Sequence, residues 1–176
     1  MSFTTYYTAS SLDGFIADAE HSLDWLLSRK SDGDGPMGFD GFIAGIGAMV
    51  AGANTYQWLL DNDPDAWPFD MPCWILTHRE FAARPEHDIR FTSESVPAVY
   101  ARMAEAAGDK KLWVVGGGEL AGQFADHGLL DEIVVSYAPV MLGSGAPLLP
   151  RRLELTPTEV ALNGELTCAR YAVVRD

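Results

Sequence analysis

The chain has 176 residues, 48% of them apolar and 21% charged, with 25 acidic against 12 basic side chains for a net charge of −13. That apolar content excludes intrinsic disorder, and the length fits a single domain, residues 1–176, around one ordinary core. The acidity excludes general binding to nucleic acid or to an anionic membrane, where counterion release needs clustered Lys and Arg, but it leaves open a small anionic ligand held by the local field of one cleft.

Taken in chain order, Phe3 to Ala9 is β-branched and aromatic and predicts a first strand. Ser31 to Gly38 is a Gly/Asp/Pro loop, and Phe39 to Gly45 predicts a helix. A short apolar strand, Ala48 to Ala51, leads to a helix over Thr55 to Leu60. The stretch Asp61 to Pro72, with Pro64, Pro68 and Pro72, reads as irregular. Strands follow at Cys73 to Thr77 and Ile89 to Thr92. Val96 to Ala107 is the clearest helix: Ser93 or Ser95 can cap it, Pro97 suits its first turn, and Val99, Tyr100, Met103 and Ala107 form one apolar face. A strand at Lys111 to Val115 runs through a glycine turn into a helix at Glu119 to His127. Strands at Glu132 to Tyr137, Thr158 to Leu162 and Cys168 to Val174 complete the chain, the last two joined by Asn163-Gly164, a hairpin turn signal. The pattern predicts an α/β fold: a mainly parallel sheet, antiparallel strands at one edge, and helices on both faces.

Cys73 and Cys168 stand in apolar contexts and read as buried free thiols of a reducing compartment. The N-terminus lacks the basic and continuous apolar regions of a signal peptide. The longest apolar run, Gly41 to Ala53, holds four glycines and is too short to span a hydrocarbon core of ~30 Å. A cytoplasmic location is expected. The cysteines and histidines lack zinc-site spacing and the carboxylates are scattered, so no metal site is expected.

The sharpest local signal is Leu112 to Leu120, in which an apolar strand enters Gly116-Gly117-Gly118 and then a helix beginning at Glu119-Leu120. Glycines let the backbone N–H groups approach a ligand, and the helix start adds free donors and partial positive charge, which suits a phosphate. A plain strand-to-helix turn is the alternative, for which one glycine is usually enough. The motif is neither GxGxxG nor a Walker A loop. A second strand end, Val50 to Gly52, precedes Ala53-Asn54-Thr55, where Asn54 or Thr55 can cap a helix and face a phosphate. Two such helix starts can grip one dinucleotide from both sides. Thr77-His78-Arg79, after the strand CWILT, would suit a 2′-phosphate, although on local sequence alone an ordinary polar loop is the slightly better account. In Ser11 to Ala17 (SLDGFIA), Gly14 permits a sharp turn, and bonding to the turn backbone is a better account of Asp13 than catalysis. Asp24 and Trp25 begin an apolar helical segment, where Trp25 could stack on a planar ring or simply be core. The apolar loop Ala138 to Leu148 could cover a pocket or pair two subunits.

In order and spacing, the segments ASSLDGFIAD, AGANTY, ILTHR, WVVGGGELAGQF and GLLDEIVVSYAPVMLGSGAPLL resemble the RibD C-terminal branch of the dihydrofolate reductase-like superfamily over nearly the whole chain. The resemblance implies a three-layer α/β/α fold with an antiparallel C-terminal hairpin, NADPH bound across the strand C-ends, and a homodimer. It implies that Thr77, His78 and Arg79 lie by the adenosine ribose phosphate, and Gly52, Ala53, Asn54 and Thr55 by the pyrophosphate. Val115, Gly116, Gly117, Gly118, Glu119 and Leu120 would run along the pyrophosphate and nicotinamide, with a cis peptide at Gly116-Gly117. Ala9 and Ile16 would flank the nicotinamide, while Phe15 and Trp25 would wall the substrate ring.

Three departures bear on substrate. Phe15 stands where the riboflavin-pathway reductase has Lys or Arg, and Asn62-Asp63-Pro64 only faintly echoes its ribose-phosphate motif. The acidic residue of true dihydrofolate reductases is missing after Trp25. The expectation is an NADPH-dependent reductase of a small pyrimidine- or pteridine-like heterocycle, similar to 5-amino-6-(5-phosphoribosylamino)uracil reductase. Dihydrofolate reductase-type activity and a non-catalytic NADPH-binding dimer are the alternatives. Asp13, Asp24 and solvent water are the candidate proton donors.

Overall fold

The computed structural model describes residues 1–63 and 65–175; Pro64, part of the faint ribose-phosphate echo, lies outside the described residues. In chain order the elements are β1 (Thr4–Ser11), β2 (Phe15–Ala17), α1 (Asp24–Leu27), α2 (Phe39–Ile43), β3 (Ile46–Gly52), α3 (Ala53–Asn62), β4 (Cys73–Leu76) and β5 (Ile89–Thr92). Then follow α4 (Val96–Ala107), β6 (Lys111–Gly116), α5 (Gly118–Asp126), β7 (Glu132–Ala138), β8 (Ala146–Pro147), β9 (Leu155–Asn163) and β10 (Leu166–Val173). Eight strands form one sheet in the order β5-β4-β3-β6-β1-β7-β10-β9. It is parallel from β5 to β7, and β10 runs antiparallel to both β7 and β9. The expected α/β fold is thus present, with its antiparallel strands at one edge.

Side-chain alternation assigns the two faces. In β3, Ala48 and Val50 point to one side, and Met49 and Ala51 to the other. The first side packs with Leu112 and Val114 of β6 under α4 and α5, through Val99, Met103, Leu120 and Phe124. The second joins Trp113, Phe42, Ile43 and Tyr56 under α2 and α3. This layer is strongly aromatic: Tyr7 stacks on Phe42 at 4.1 Å between centroids, and Phe42 meets Trp113 edge-on at 5.5 Å. A third, smaller core joins Ala138, Leu166 and Cys168 to Trp25, Leu26, Met37 and Val140. Both cysteines are buried free thiols. Among the described residues, no helix is long and apolar enough to cross a membrane.

Two features depart from the expected pattern. The first is a small antiparallel ribbon of β2 and β8, which is too short to carry a periodic signal. The second concerns the hairpin. Asn163 does not turn the chain; it pairs with Leu166 as the last residue of β9, and Gly164 and Glu165 make the turn. The Asn163 amide is needed elsewhere. Its Oδ1 accepts from the Asp32 N–H at 2.8 Å, and its Nδ2 donates to the Asp32 and Pro36 carbonyls at 2.8 and 3.1 Å. The loop before α2 is therefore pinned to the far hairpin.

Candidate active site

Topology opens a crevice in the sheet's middle. From β3 the chain leaves through α3 on the aromatic face, whereas from its neighbour β6 it leaves through α5 on the opposite face. Adjacent parallel strands whose helices depart to opposite faces leave a cleft at their C-terminal ends, where open α/β sheets bind ligands. Both helix starts at this cleft are glycine N-caps, Gly52 for α3 and Gly117 for α5, and neither start has a side-chain cap. The first N–H groups of each helix have no intrahelical acceptor, so two sets of donors and two positive dipole ends meet here. They adjoin closely: a Cβ added at Gly52 would lie 3.7 Å from the Gly116 carbonyl oxygen and 3.8 Å from the Gly117 nitrogen.

The glycines of the turn divide their work. Gly116 has φ of +133°, a conformation L side chains rarely adopt, and a cis peptide joins it to Gly117. A Cβ on Gly118 would meet the Pro147 and Leu148 carbonyl oxygens at 2.3 and 2.6 Å. Gly118 therefore makes room on its Cα side for the chain's own loop. A Cβ on Gly117 would come within 3.7 Å of Ile16 Cδ1, so the β2–β8 ribbon lies directly over the turn. Tyr6, fully buried, closes the arrangement: its hydroxyl donates to the Leu148 carbonyl at 2.8 Å, and its ring lies beside Gly116. Burial pushes its phenol well above the usual range, so it stays a neutral donor. Sequence reading placed Tyr6 only in a strand; its partner is remote in the chain, so no local pattern marks it.

The polar end of the cleft forms between β4 and α3. Arg79 Nη2 donates to Asn54 Oδ1 at 2.8 Å, and the Arg79 N–H donates to Thr77 Oγ1 at 2.9 Å. Thr77, Arg79 and Asn54 are thus gathered where the α3 start opens, with His78 exposed in the same turn. Neither Asn54 nor Thr55 caps the helix, because it begins at Ala53 after the Gly52 N-cap and both lie inside its first turn; the Asn54 oxygen instead accepts from Arg79. In α5, the Leu120 side chain belongs to the core and the Glu119 carboxylate turns to Arg151, so only their main chain is offered to the cleft.

The Asp13 carboxylate is engaged by the chain's own loops. Its carboxylate accepts from Ser11 Oγ at 2.6 Å and from the Leu142 and Gly143 N–H groups at 3.0 and 2.7 Å. Those bonds, that of Ser11 foremost, hold its pKa down at about 2, so it is ionised at neutral pH. Ser11 Oγ also accepts from the Phe15 N–H at 3.0 Å, which makes Ser11 and Asp13 a joint tie between the β1–β2 turn and the 139–145 loop. Phe15 pairs with Pro147 across the ribbon. Trp25 packs into the third core and donates its indole N–H to the Ser22 carbonyl at 3.0 Å, and Asp24 is exposed at the start of α1. The core that Trp25 joins is built on β7 and β10.

A family model, the RibD C-terminal domain, matches residues 2–170. The chain belongs to that family, a family of reductase domains. It is 34% identical over 163 residues to the uncharacterized protein YwjB of Bacillus subtilis (strain 168), covering 92% of this chain and 89% of that one. Its fold matches the crystal structure of a protein from Shewanella sp. PV-4, "Putative riboflavin biosynthesis protein", with a TM-score of 0.83 at 28% identity, covering 99% and 100% of the two chains. It also matches a diaminohydroxyphosphoribosylaminopyrimidine deaminase/5-amino-6-(5-phosphoribosylamino)uracil reductase from Thermotoga maritima, with a TM-score of 0.66 at 17% identity. That match covers 98% of this chain and 57% of the bifunctional one, and at this identity it speaks to the RibD-like fold alone.

Proposed function

We propose that this RibD C-terminal domain protein is an NADPH-dependent reductase of a small pyrimidine- or pteridine-type heterocycle. The observation that carries the reading is the abutment of two uncapped helix starts, at Gly52 and Gly117, beside the Arg79–Asn54 pair. This donor set fits a dinucleotide diphosphate: neutral N–H groups from Ala53 to Thr55 and Gly118 to Leu120, plus one guanidinium for an extra phosphate. It also resolves how a chain of net charge −13 can hold a polyanion, since backbone amides need no cationic side chains. NADPH supplies a hydride when bound. The protein's part is to bind, orient and exclude water. Ile16 presses the β2–β8 ribbon onto the glycine turn, and Ala9 lies in the C-terminal half of the neighbouring β1, so in this reading the two apolar side chains border the nicotinamide. With the Asp13 carboxylate engaged by the 139–145 loop, solvent water delivers the proton in this reading.

The test is titration of tryptophan fluorescence with NADPH and NADH, followed by single-turnover oxidation of bound NADPH over pyrimidines and pteridines. Binding without turnover across the panel would favour a non-catalytic NADPH protein, and no binding of either dinucleotide would sink the reading.

We also propose that two copies pair through the C-terminal strands. By register, Val160 and Leu162 of β9 share a face with Ala169 of β10 and with Val135 and Tyr137 of β7. Val160 and Leu162 are 67% and 72% exposed there. A groove of about 500 Å³ lined by Tyr137, Leu149, Leu153 and Tyr171 continues this face. Light scattering should give a dimer mass, and Leu162→Glu should give a folded monomer. A monomeric wild-type chain would refute the pairing.

A further inference from the structure

We infer that Arg151 protects the phosphate cradle electrostatically, by holding the Glu119 carboxylate on the outer flank of α5; this rests on the reading that the first turn of α5 receives a dinucleotide phosphate. Glu119 stands in the first turn of that helix. An acid there favours the helix by itself, since it complements the positive dipole end. At this helix, however, the same N–H groups are needed by an anionic ligand, and a mobile carboxylate would compete for them and repel it.

Arg151 removes that competitor with a complete fork. Nη2 and Nη1 donate to Glu119 Oε1 and Oε2 at 2.8 and 3.1 Å, and Nε donates to both Asp126 oxygens at 2.9 and 3.1 Å. The side chain lies flat along the helix, because Gly122 leaves the space: a Cβ there would sit 3.1 Å from Arg151 Cγ and 3.2 Å from Cζ. The arm is fixed at its root as well. Its main-chain N–H donates to the Leu149 carbonyl at 2.9 Å, and the preceding Leu148 carbonyl is held by Tyr6 and packed on Gly118. The bonds from Arg151 keep Glu119 ionised, its pKa below the ordinary carboxylate range, so the charge persists and must be neutralised where it is. Glu119 is 63% exposed, and exposed ion pairs contribute little to folding. A geometrically complete bidentate pair beside a ligand site therefore makes better sense as control of where a charge goes.

The experiment is a mutant cycle read by NADPH affinity from tryptophan fluorescence, with thermal melting as the folding control. Arg151→Gln should weaken NADPH about fivefold at about 0.01 M salt, where the Debye length is ~30 Å, and by much less at about 1 M salt. Adding Glu119→Gln to Arg151→Gln should restore wild-type affinity to within about twofold. Arg151→Lys keeps the charge without the fork and should fall between the two; it carries the test if Arg151→Gln does not fold. Wild-type affinity in Arg151→Gln, or a double variant as weak as the single, would overturn the inference. A wild-type chain that binds no dinucleotide would instead overturn the cofactor reading on which it stands.

Discussion

Arg79, just past the end of β4, donates to Asn54 in the first turn of α3 at 2.8 Å, joining two segments 25 residues apart at the mouth of one cleft. The pair places a guanidinium, whose charge no carboxylate in hydrogen-bond range neutralises among the described residues, beside a set of free helix N–H groups. Arg79→Ala should therefore weaken NADPH by roughly tenfold to a hundredfold, the range of about 1.5–3 kcal/mol for charge-assisted hydrogen bonds, and NADH much less. Parallel fluorescence titrations check this. Equal losses for the two cofactors would place the 2′-phosphate elsewhere.

Asp13 gives a prediction that separates positioning from proton donation. Its folded pKa, about 2, lies below the ordinary 3.8, so its contribution to stability is present above pH 3.8 and is lost as pH falls through about 2. Asp13→Asn should lower the melting temperature at neutral pH, and the gap from wild type should close as the pH is brought from about 4 down toward 2. In turnover, the variant should lose rate through loosening of the 139–145 loop while keeping the wild-type shape of its pH profile. Loss of a titrating limb in that profile would return Asp13 to the chemistry.

The sheet was legible because its strands are long apolar or alternating runs, and β5 and α4 have the bounds their residues imply. The cleft was legible as separate motifs, since Gly116 to Gly118, Asn54 and Arg79 each carry a local chemical signature. What joins them was not. Tyr6 to Leu148, Asp13 to Gly143 and Arg151 to Glu119 are bonds between residues far apart in sequence, and no periodicity encodes them. The β2–β8 ribbon escaped for a related reason: a strand of two or three residues has no repeat to read. Asn163 was misread because Asn-Gly is a sound turn signal, and here the burial of its amide among the 32–36 backbone groups outweighed local propensity.

Asn163 itself is open to test. It is 5% exposed and satisfies one donor and two acceptors of the loop before α2. Replacement by Ala leaves those groups without their partner, at about 1–3 kcal/mol of destabilisation for a buried group left unpaired. Asn163→Ala should melt lower and should raise amide exchange across residues 31–38 well before it does so in β1 or β6. Unchanged exchange in that loop would mean that the Gly164 turn, not the amide, holds it.

The two glycines that border the cleft should behave in opposite ways. Gly118→Ala drives a methyl into the Pro147 and Leu148 carbonyl oxygens, at 2.3 and 2.6 Å, and neither main-chain atom can step aside alone. It should destabilise the fold by ~3 kcal/mol, at the upper end of the range for overpacking, and cost binding only as a consequence. Gly52 has φ of −81°, which Ala adopts freely, and its new methyl would find its nearest neighbours at 3.7 and 3.8 Å, ordinary contact. Gly52→Ala should therefore cost less than ~1 kcal/mol of stability, in line with Gly-to-Ala changes at an N-cap. That methyl nonetheless projects into the gap between the two helix starts, where a diphosphate must approach the backbone. NADPH affinity should fall at least tenfold, or about 1.4 kcal/mol, in a protein that melts near wild type. Thermal melts and fluorescence titrations on the two variants decide it: tight NADPH binding by Gly52→Ala would remove the gap between α3 and α5 as the phosphate site.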